Sequence, residues 1–331
     1  MHTNQRLMVE ELIRRGASVS VVDEALELLE VGFGRRTQLV LDRSGPALSH
    51  VAAALAADKH LTKLVLRKNG IPVPEGELFA GGKIDEALAY GDSIGYPLVV
   101  KPNVGSNGRG VRSGIASRDH LEAALCALIF EEGRSCSFVV ERHVEGREHR
   151  VFATSRGDFA VLLREAASVF GDGSSTIREL ARAESERRAA LKSVHGGSLS
   201  PIALDSVARD FLAARALDFE SVPAAGAQLA LRLSSNLSQG GSSTDMTDEA
   251  HPSAIAISKR ALAAFEGLPC LGVDLVVPDI AREVGEGNPC AVIEVNSNPG
   301  LAMHRFPAQG RARDVARFLV DAMFPTLFSE P

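Results

Sequence analysis

Two short apolar runs, CLGVDLVV (270–277) and AVIEVN (291–296), constrain the fold of this chain more than any other feature. Each has the length and β-branched content of a strand, and each carries an acid in its interior. The Gly, Pro and charge-rich stretch 278–290 between them predicts an antiparallel pair. Along the second strand Ile293 and Val295 share one face, while Glu294 and Asn296 share the other, roughly 7 Å apart. A half-exposed edge strand would explain those two polar residues. Asp274 is harder to place, because a buried, unpaired carboxylate costs several kcal/mol and must be exposed, paired or on a metal. Antiparallel pairing would set Asp274 beside Glu294 and Asn296, giving two carboxylates and an amide oxygen. That oxygen-only set suits Mg²⁺ bridging to phosphate rather than Zn²⁺, with Ca²⁺ in an extracellular module as the rival. Pro299 and Gly300 then stop the strand and turn the chain.

At 331 residues the chain has room for two or three packed units. A formal net charge of -6 argues against non-specific binding to nucleic acid or an anionic membrane surface. No run of about 18 apolar residues is present, so no membrane span is expected. The opening MHTNQRLMVEELIRRG lacks the apolar core of a signal peptide and reads as an amphipathic helix. The cysteines at 126, 136, 270 and 290 form no C-x-x-C pair and read as reduced packing residues of a cytoplasmic protein.

Residues 1–75 read as a small α/β unit: a helix over about 5–15, strands at 19–23 and 37–42, a helix from Pro46 to Ala57, and another around KHLTKLVLRKNG ended by Gly70. The stiff IPVPEG stretch links it to a second unit, 76–142. That unit reads as a helix at 85–95, the strand YPLVVKP, a glycine loop, a strand from Val111, a helix from Asp119 to Phe130 with Leu121, Leu125 and Leu128 on one stripe, and the strand SFVVERH. Residues 143–331 read mostly as strands (EHRVFATS, FAVLLREAA, QLALRLS and the acid-bearing pair), with helices at TIRELARAESERR, VARDFLAARAL and SAIAISKRALAAF. The charged run RAESERR (182–188) reads as a solvated helix face.

Two loops carry further chemistry. In KPNVGSNGRG (101–110) three glycines between strands let backbone N–H groups approach a phosphate, with Lys101 adding charge at the strand end; a plain hairpin turn explains the glycines equally well. RLSSNLSQGGSSTDMTDE (232–249) offers Arg232, Asn236, a Gly240-Gly241 turn and many hydroxyls, and an arginine fork matches phosphate or carboxylate. No GxSxG elbow, HExxH or Cys/His pair competes, which sets hydrolase and metalloprotease readings aside.

The ordered set DKHLTK (58–63), YPLVVKP, VVERHVEGREHRVF (139–152), VFGDGSSTIREL (169–180), RLSSNLSQGGSSTDMTDEAHP (232–252), LGVDLVV and IEVNSNPGLAMH (293–304) resembles the ATP-grasp superfamily. It is most similar to the ATP-grasp module of cyanophycin synthetase and of the bifunctional glutamate-cysteine ligase/glutathione synthetase. The resemblance implies an α+β ATP-grasp fold, two subdomains (76–142 as lid, 143–331 as C-terminal subdomain) gripping ATP behind the small 1–75 unit. It implies an ATP-dependent carboxylate-amine ligase that joins amino acids or small peptides through an acylphosphate, releases ADP and phosphate, and works as a homodimer.

Carried onto this sequence, the resemblance puts Lys59 and Lys101 on the ATP phosphates, with the 105–110 loop (Gly105, Ser106, Asn107, Gly108, Gly110) closing as a lid. Glu141 and the backbone near Val144 would face the adenine and Glu148 the ribose. Arg150 and Arg232 would face the transferring phosphoryl group or the substrate carboxylate, with Asn236 close by. Asp274, Glu294 and Asn296 would hold magnesium, two ions in all. An asparagine expected at position 106 stands instead at 107. The sequence shows no Mur-ligase-like domain after the module and no glutamate-cysteine ligase domain before it, so a complete version of either enzyme is not expected. His304, in LAMHRFP, is a candidate base beside a structural reading. The rival functions are a glutathione-type or D-alanine-type ligation and a nucleotide-binding scaffold or partner subunit without ligase activity.

Overall fold

A computed structural model of the chain describes residues 1–105, 108–195 and 199–325. It divides into two compact units, one built from 1–73, 149–162 and the stretch from Asp245 onward, the other from 74–148 and 163–244.

In the first unit the helix Thr3–Arg14 starts where His2 accepts the amides of Asn4 and Gln5 through Nδ1. A three-stranded antiparallel sheet follows, Ser18–Asp23, Leu28–Phe33 and Arg36–Leu41. The sequence reading placed the outer two strands and missed the middle one. Its EALELLEV surroundings carry strong helix formers, but pairing with Val21 and Val40 on either side buries Leu29 in the core, and tertiary burial overrides propensity. The next helix runs His50–Ala57 rather than from Pro46, because the Ser49 hydroxyl caps it by accepting the amide of Ala52. Asp58 caps the helix Lys59–Lys68 in the same way. A five-stranded sheet has the order Ser242–Asp245, Phe159–Glu165, Arg147–Thr154, Cys270–Val277, Ala291–Asn296; the division between the units falls within its first three strands. Val151, Val273, Val292 and Phe265 belong to one core of the first unit; Met8, Leu12, Phe152 and Leu319 belong to the other.

The second unit opens with a four-stranded antiparallel sheet, Gly76–Ala80, Ser137–Arg142, Leu98–Pro102, Arg112–Ile115. The helices Ile84–Ile94 and Arg118–Glu132 bury Leu88, Leu121, Leu125 and Leu128 against Phe138 and Val140, as the leucine stripe implies. The glycine loop joins two paired strands, so it is a hairpin connection. A smaller core, including Val169, Ile177, Leu212 and Leu231, unites the strand pair Ser168–Phe170 and Gln228–Ala230 with the helices Ile177–His195 and Ser206–Ala213. The run RAESERR is not a uniformly solvated face: Arg182 and Arg187 are exposed, while Arg188 is 5% exposed.

Candidate active site

The acid-bearing strands pair antiparallel, with Asp274 opposite Glu294 and Gly272 opposite Asn296. Ala291–Asn296 is the edge strand of its sheet, as the edge-strand reading expects. Glu294 and Asn296 are half-buried. Asp274 is buried, and Arg150 on the neighbouring strand answers its charge: Nε and Nη2 donate to the two carboxylate oxygens, the latter at 3.0 Å. Gly272 makes room for this fork, since a Cβ there would lie 3.2 Å from Arg150 Nη1 and 2.9 Å from Pro299 Cβ. Lys59, buried in the first turn of its helix, brings Nζ to 4.0 Å from Glu294 Oε1. The amide nitrogen of Asn296 is buried without a hydrogen-bond partner, and rotating the amide exchanges it for the oxygen. Two facing carboxylates and an amide oxygen are the hard donors that Mg²⁺ takes, with Arg150 on Asp274 and Lys59 near Glu294 as the resident cations.

The turn that follows is held by the amino-terminal segment. Asn4 Oδ1 accepts the amides of Leu301 and Ala302 at 2.9 and 2.8 Å, and Asn298 donates to Asp42 at 2.6 Å. It delivers His304 into the core, wholly buried, edge-on to Phe152, with neither ring nitrogen hydrogen-bonded. Burial, reinforced by the charge of Arg150, pushes its pKa down to about 3, so the ring is neutral. His2, Glu27 and Asp42 also converge, but His2 Nδ1 already accepts helix amides, which leaves the proton on Nε2, and Arg43 occupies Asp42 at 2.7 Å. That cluster is an ion-pair knot.

In the second unit Lys101 and Glu141 form a buried pair at 2.7 Å. They lie on paired strands, Lys101 opposite Val139 and Val99 opposite Glu141. Val144 is half-buried in the loop that follows. Glu148 takes Arg164 Nη1 at 2.9 Å and the hydroxyl of Ser235. Arg164 Nη2 also reaches Asn236 Oδ1 at 3.5 Å. Gly108 packs on the same asparagine, where a Cβ would meet Nδ2 at 2.4 Å, and its φ of +67° suits glycine. Gly105 and Gly110 also have positive φ; Ser106 and Asn107 lie outside the described residues. Arg232 is buried, donating to Gln239 Oε1 at 2.8 Å, Ala203 O at 2.6 Å and Asp205 Oδ1 at 3.1 Å.

Two arginines of this unit escaped the sequence reading. Arg164 breaks the apolar run FAVLLREAA just as Asp274 breaks LGVDLVV, so the same signal was present. Arg188 had no such signal, because it sits among other charges.

Antiparallel α+β units with acids on paired strands and buried lysines beside them have the architecture of an ATP-grasp protein. A family model described as carbamoyl-phosphate synthase L chain, ATP binding domain, matches residues 58–151. Cyanophycin synthetase of Geminocystis herdmanii is 35% identical over 302 residues, 91% of this chain and 34% of that protein. The bifunctional glutathione biosynthesis protein of Streptococcus mutans is 32% identical over 332 residues, 99% of this chain and 43% of that protein. The crystal structure of a bifunctional glutathione synthetase from Pasteurella multocida superposes with a TM-score of 0.68 at 28% identity, covering 98% of this chain and 44% of that one. The chain therefore belongs to the ATP-grasp superfamily, and it spans about a third to under half of the length of these relatives. Among the described residues no helix is long and apolar enough to cross a membrane.

Proposed function

We propose that the chain is an ATP-dependent carboxylate-amine ligase acting on amino acids or small peptides. The observation that carries this reading is the register that sets Asp274 against Glu294, two residue pairs from Asn296 and with Lys59 Nζ 4.0 Å from Glu294. Such a site manages concentrated negative charge, as a nucleotide triphosphate and a carboxylate substrate present it. Residues 76–142 act as the lid subdomain, 143–331 as the C-terminal subdomain and 1–75 as the unit before them.

In the reaction, a carboxylate oxygen of the acid attacks the γ-phosphorus of ATP, the bond to the bridging oxygen breaks, and ADP leaves an acylphosphate behind. The amine then attacks the acyl carbon, loses a proton, and expels phosphate to leave an amide. Lys59 and Lys101 bind the ATP phosphates, and Glu141, Val144 and Glu148 take the adenosine side. The glycines of 105–110, with Ser106 and Asn107, close over the phosphates and exclude water from the acylphosphate. Arg150 and Asn236 face the transferring phosphoryl group, where oriented donors stabilise the developing charge. Arg232, tied to Gln239, Ala203 and Asp205, holds the chain around Asn236. Asp274, Glu294 and Asn296 would hold Mg²⁺, two ions in all, which would supply charge neutralisation for the phosphoryl group. His304, neutral and buried, lies outside the proton path. The protein works as a cytoplasmic homodimer; four free cysteines support a reducing setting, and the family likeness supports the dimer.

The test is ADP release from the purified chain with ATP, Mg²⁺ and pools of amino acids or dipeptides, with mass spectrometry of the product. At least one pool should stimulate release and yield a mass equal to acid plus amine minus water. ATP binding with no stimulation by any pool would leave the scaffold reading in its place.

A further inference from the structure

Arg188 is a buried cation in a helix whose other arginines face solvent. Its Nε donates to Glu184 one turn back at 2.7 Å. Its Nη1 donates to three backbone carbonyls: Gly240 at 2.6 Å, Ser200 at 3.1 Å and Gly241 at 3.3 Å. Two of those carbonyls, of Gly240 and Gly241, belong to the turn that closes on Asn236. The amides of Gln239 and Gly241 both return to Asn236 O, at 3.1 and 3.0 Å. The turn is too tight for side chains at its glycines: a Cβ at 240 would lie 2.6 Å from Ile202 Cα, and one at 241 would lie 2.8 Å from Ser235 O. A turn wound this closely drives two carbonyls inward, and buried carbonyls without donors are costly. Arg188 supplies the donor, and Ser185 on the same helix accepts the amide of Ile202 at 3.0 Å, pinning the adjoining segment.

We propose that Arg188 is a positioning residue: by clamping the 239–241 turn and residue 200 to the helix Ile177–His195, it fixes Asn236 and sets the acid-substrate side of the site. This rests on the ligase reading, in which Asn236 faces the transferring group. A five-donor planar fork suits several diverging acceptors, and lysine cannot reproduce it.

The experiment compares the full-length protein with Arg188→Met and Arg188→Lys, using hydrogen exchange at individual amides and steady-state kinetics with the stimulating pool. In Arg188→Met the amides of Gly240 and Gly241 should exchange about 10-fold faster or more, with those of Cys270–Val277 unchanged. Half-saturation by the pool should rise about 10-fold or more while that for ATP moves less than about 3-fold, and Arg188→Lys should fall between. Unchanged exchange at 240 and 241 overturns the clamp. Faster exchange with unaltered pool kinetics, or ATP and pool shifting together, overturns the positioning role. Failure of both variants to fold also overturns it, since Arg188 would then support the whole unit. If the wild type shows no ligase activity, the exchange data still decide the clamp.

Discussion

Arg150–Asp274 in the first unit and Lys101–Glu141 in the second are both cation–carboxylate pairs buried between neighbouring strands, yet they are built differently. The first is a planar fork that engages both oxygens of one carboxylate, lies across a glycine and borders two half-buried polar residues of an edge strand. The second is a point charge against a carboxylate, with both side chains at most 6% exposed. A fork fixes orientation as well as charge; an ammonium fixes charge alone. The first pair therefore aims its carboxylate beside Glu294 and Asn296, whereas the second chiefly keeps Lys101 charged and in place.

The largest effect that would sharpen this contrast concerns the open side of the first pair. Glu294→Gln should lower turnover about a thousandfold or more, the order seen when an electrostatic group is removed from a phosphoryl-transfer site, with Tm moving less than about 2 °C. Measured ADP release near wild-type rate would take Glu294 out of the metal site.

The next tests the closed pair. Lys101→Met should cost about 3–5 kcal/mol in urea unfolding, because the buried Glu141 loses the ammonium 2.7 Å from it, and Lys101→Met with Glu141→Leu should recover much of it. Recovery failing to appear would show that the pair serves packing rather than charge balance.

Acid stability separates the units again. His304 titrates near 3 when folded and near 6.5 when unfolded, so the unfolded chain binds the extra proton. Its contribution is fully present above pH 6.5, and stability falls by up to about 1.4 kcal/mol per unit as pH drops from there toward 3. Replacing His304 by Leu should flatten the slope of stability against pH by one proton over that range, and equal slopes would place the ring in solvent. The smallest effect is expected at Gly108→Ala, about 1–2 kcal/mol from its positive φ and the contact with Asn236. It should be read by thermal unfolding, with a neutral result meaning that the loop relaxes freely.

Much of the first unit's site was legible in the chain. Acids inside CLGVDLVV and AVIEVN stand out against period-two patterning, and a Gly/Pro-rich connection implies a hairpin, so the facing of Asp274 and Glu294 followed without the structure. The second unit was less readable. Arg164 announced itself only as a charge in an apolar run, and Arg188 was hidden because a helix face of alternating charges looks the same whether one of its arginines meets water or three carbonyls. The strand Leu28–Phe33 was lost to helix-favouring composition.

By itself the sequence determined which residues share a strand face and that acids and an amide recur near 274–296. These follow from backbone geometry over a few residues. Only the tertiary structure decided what answers each charge: that Arg150, 124 positions away, holds Asp274, that Glu141 receives Lys101, and that Arg188 turns inward. Charge compensation in a low-dielectric interior depends on which distant segments pack together, and no local periodicity encodes that.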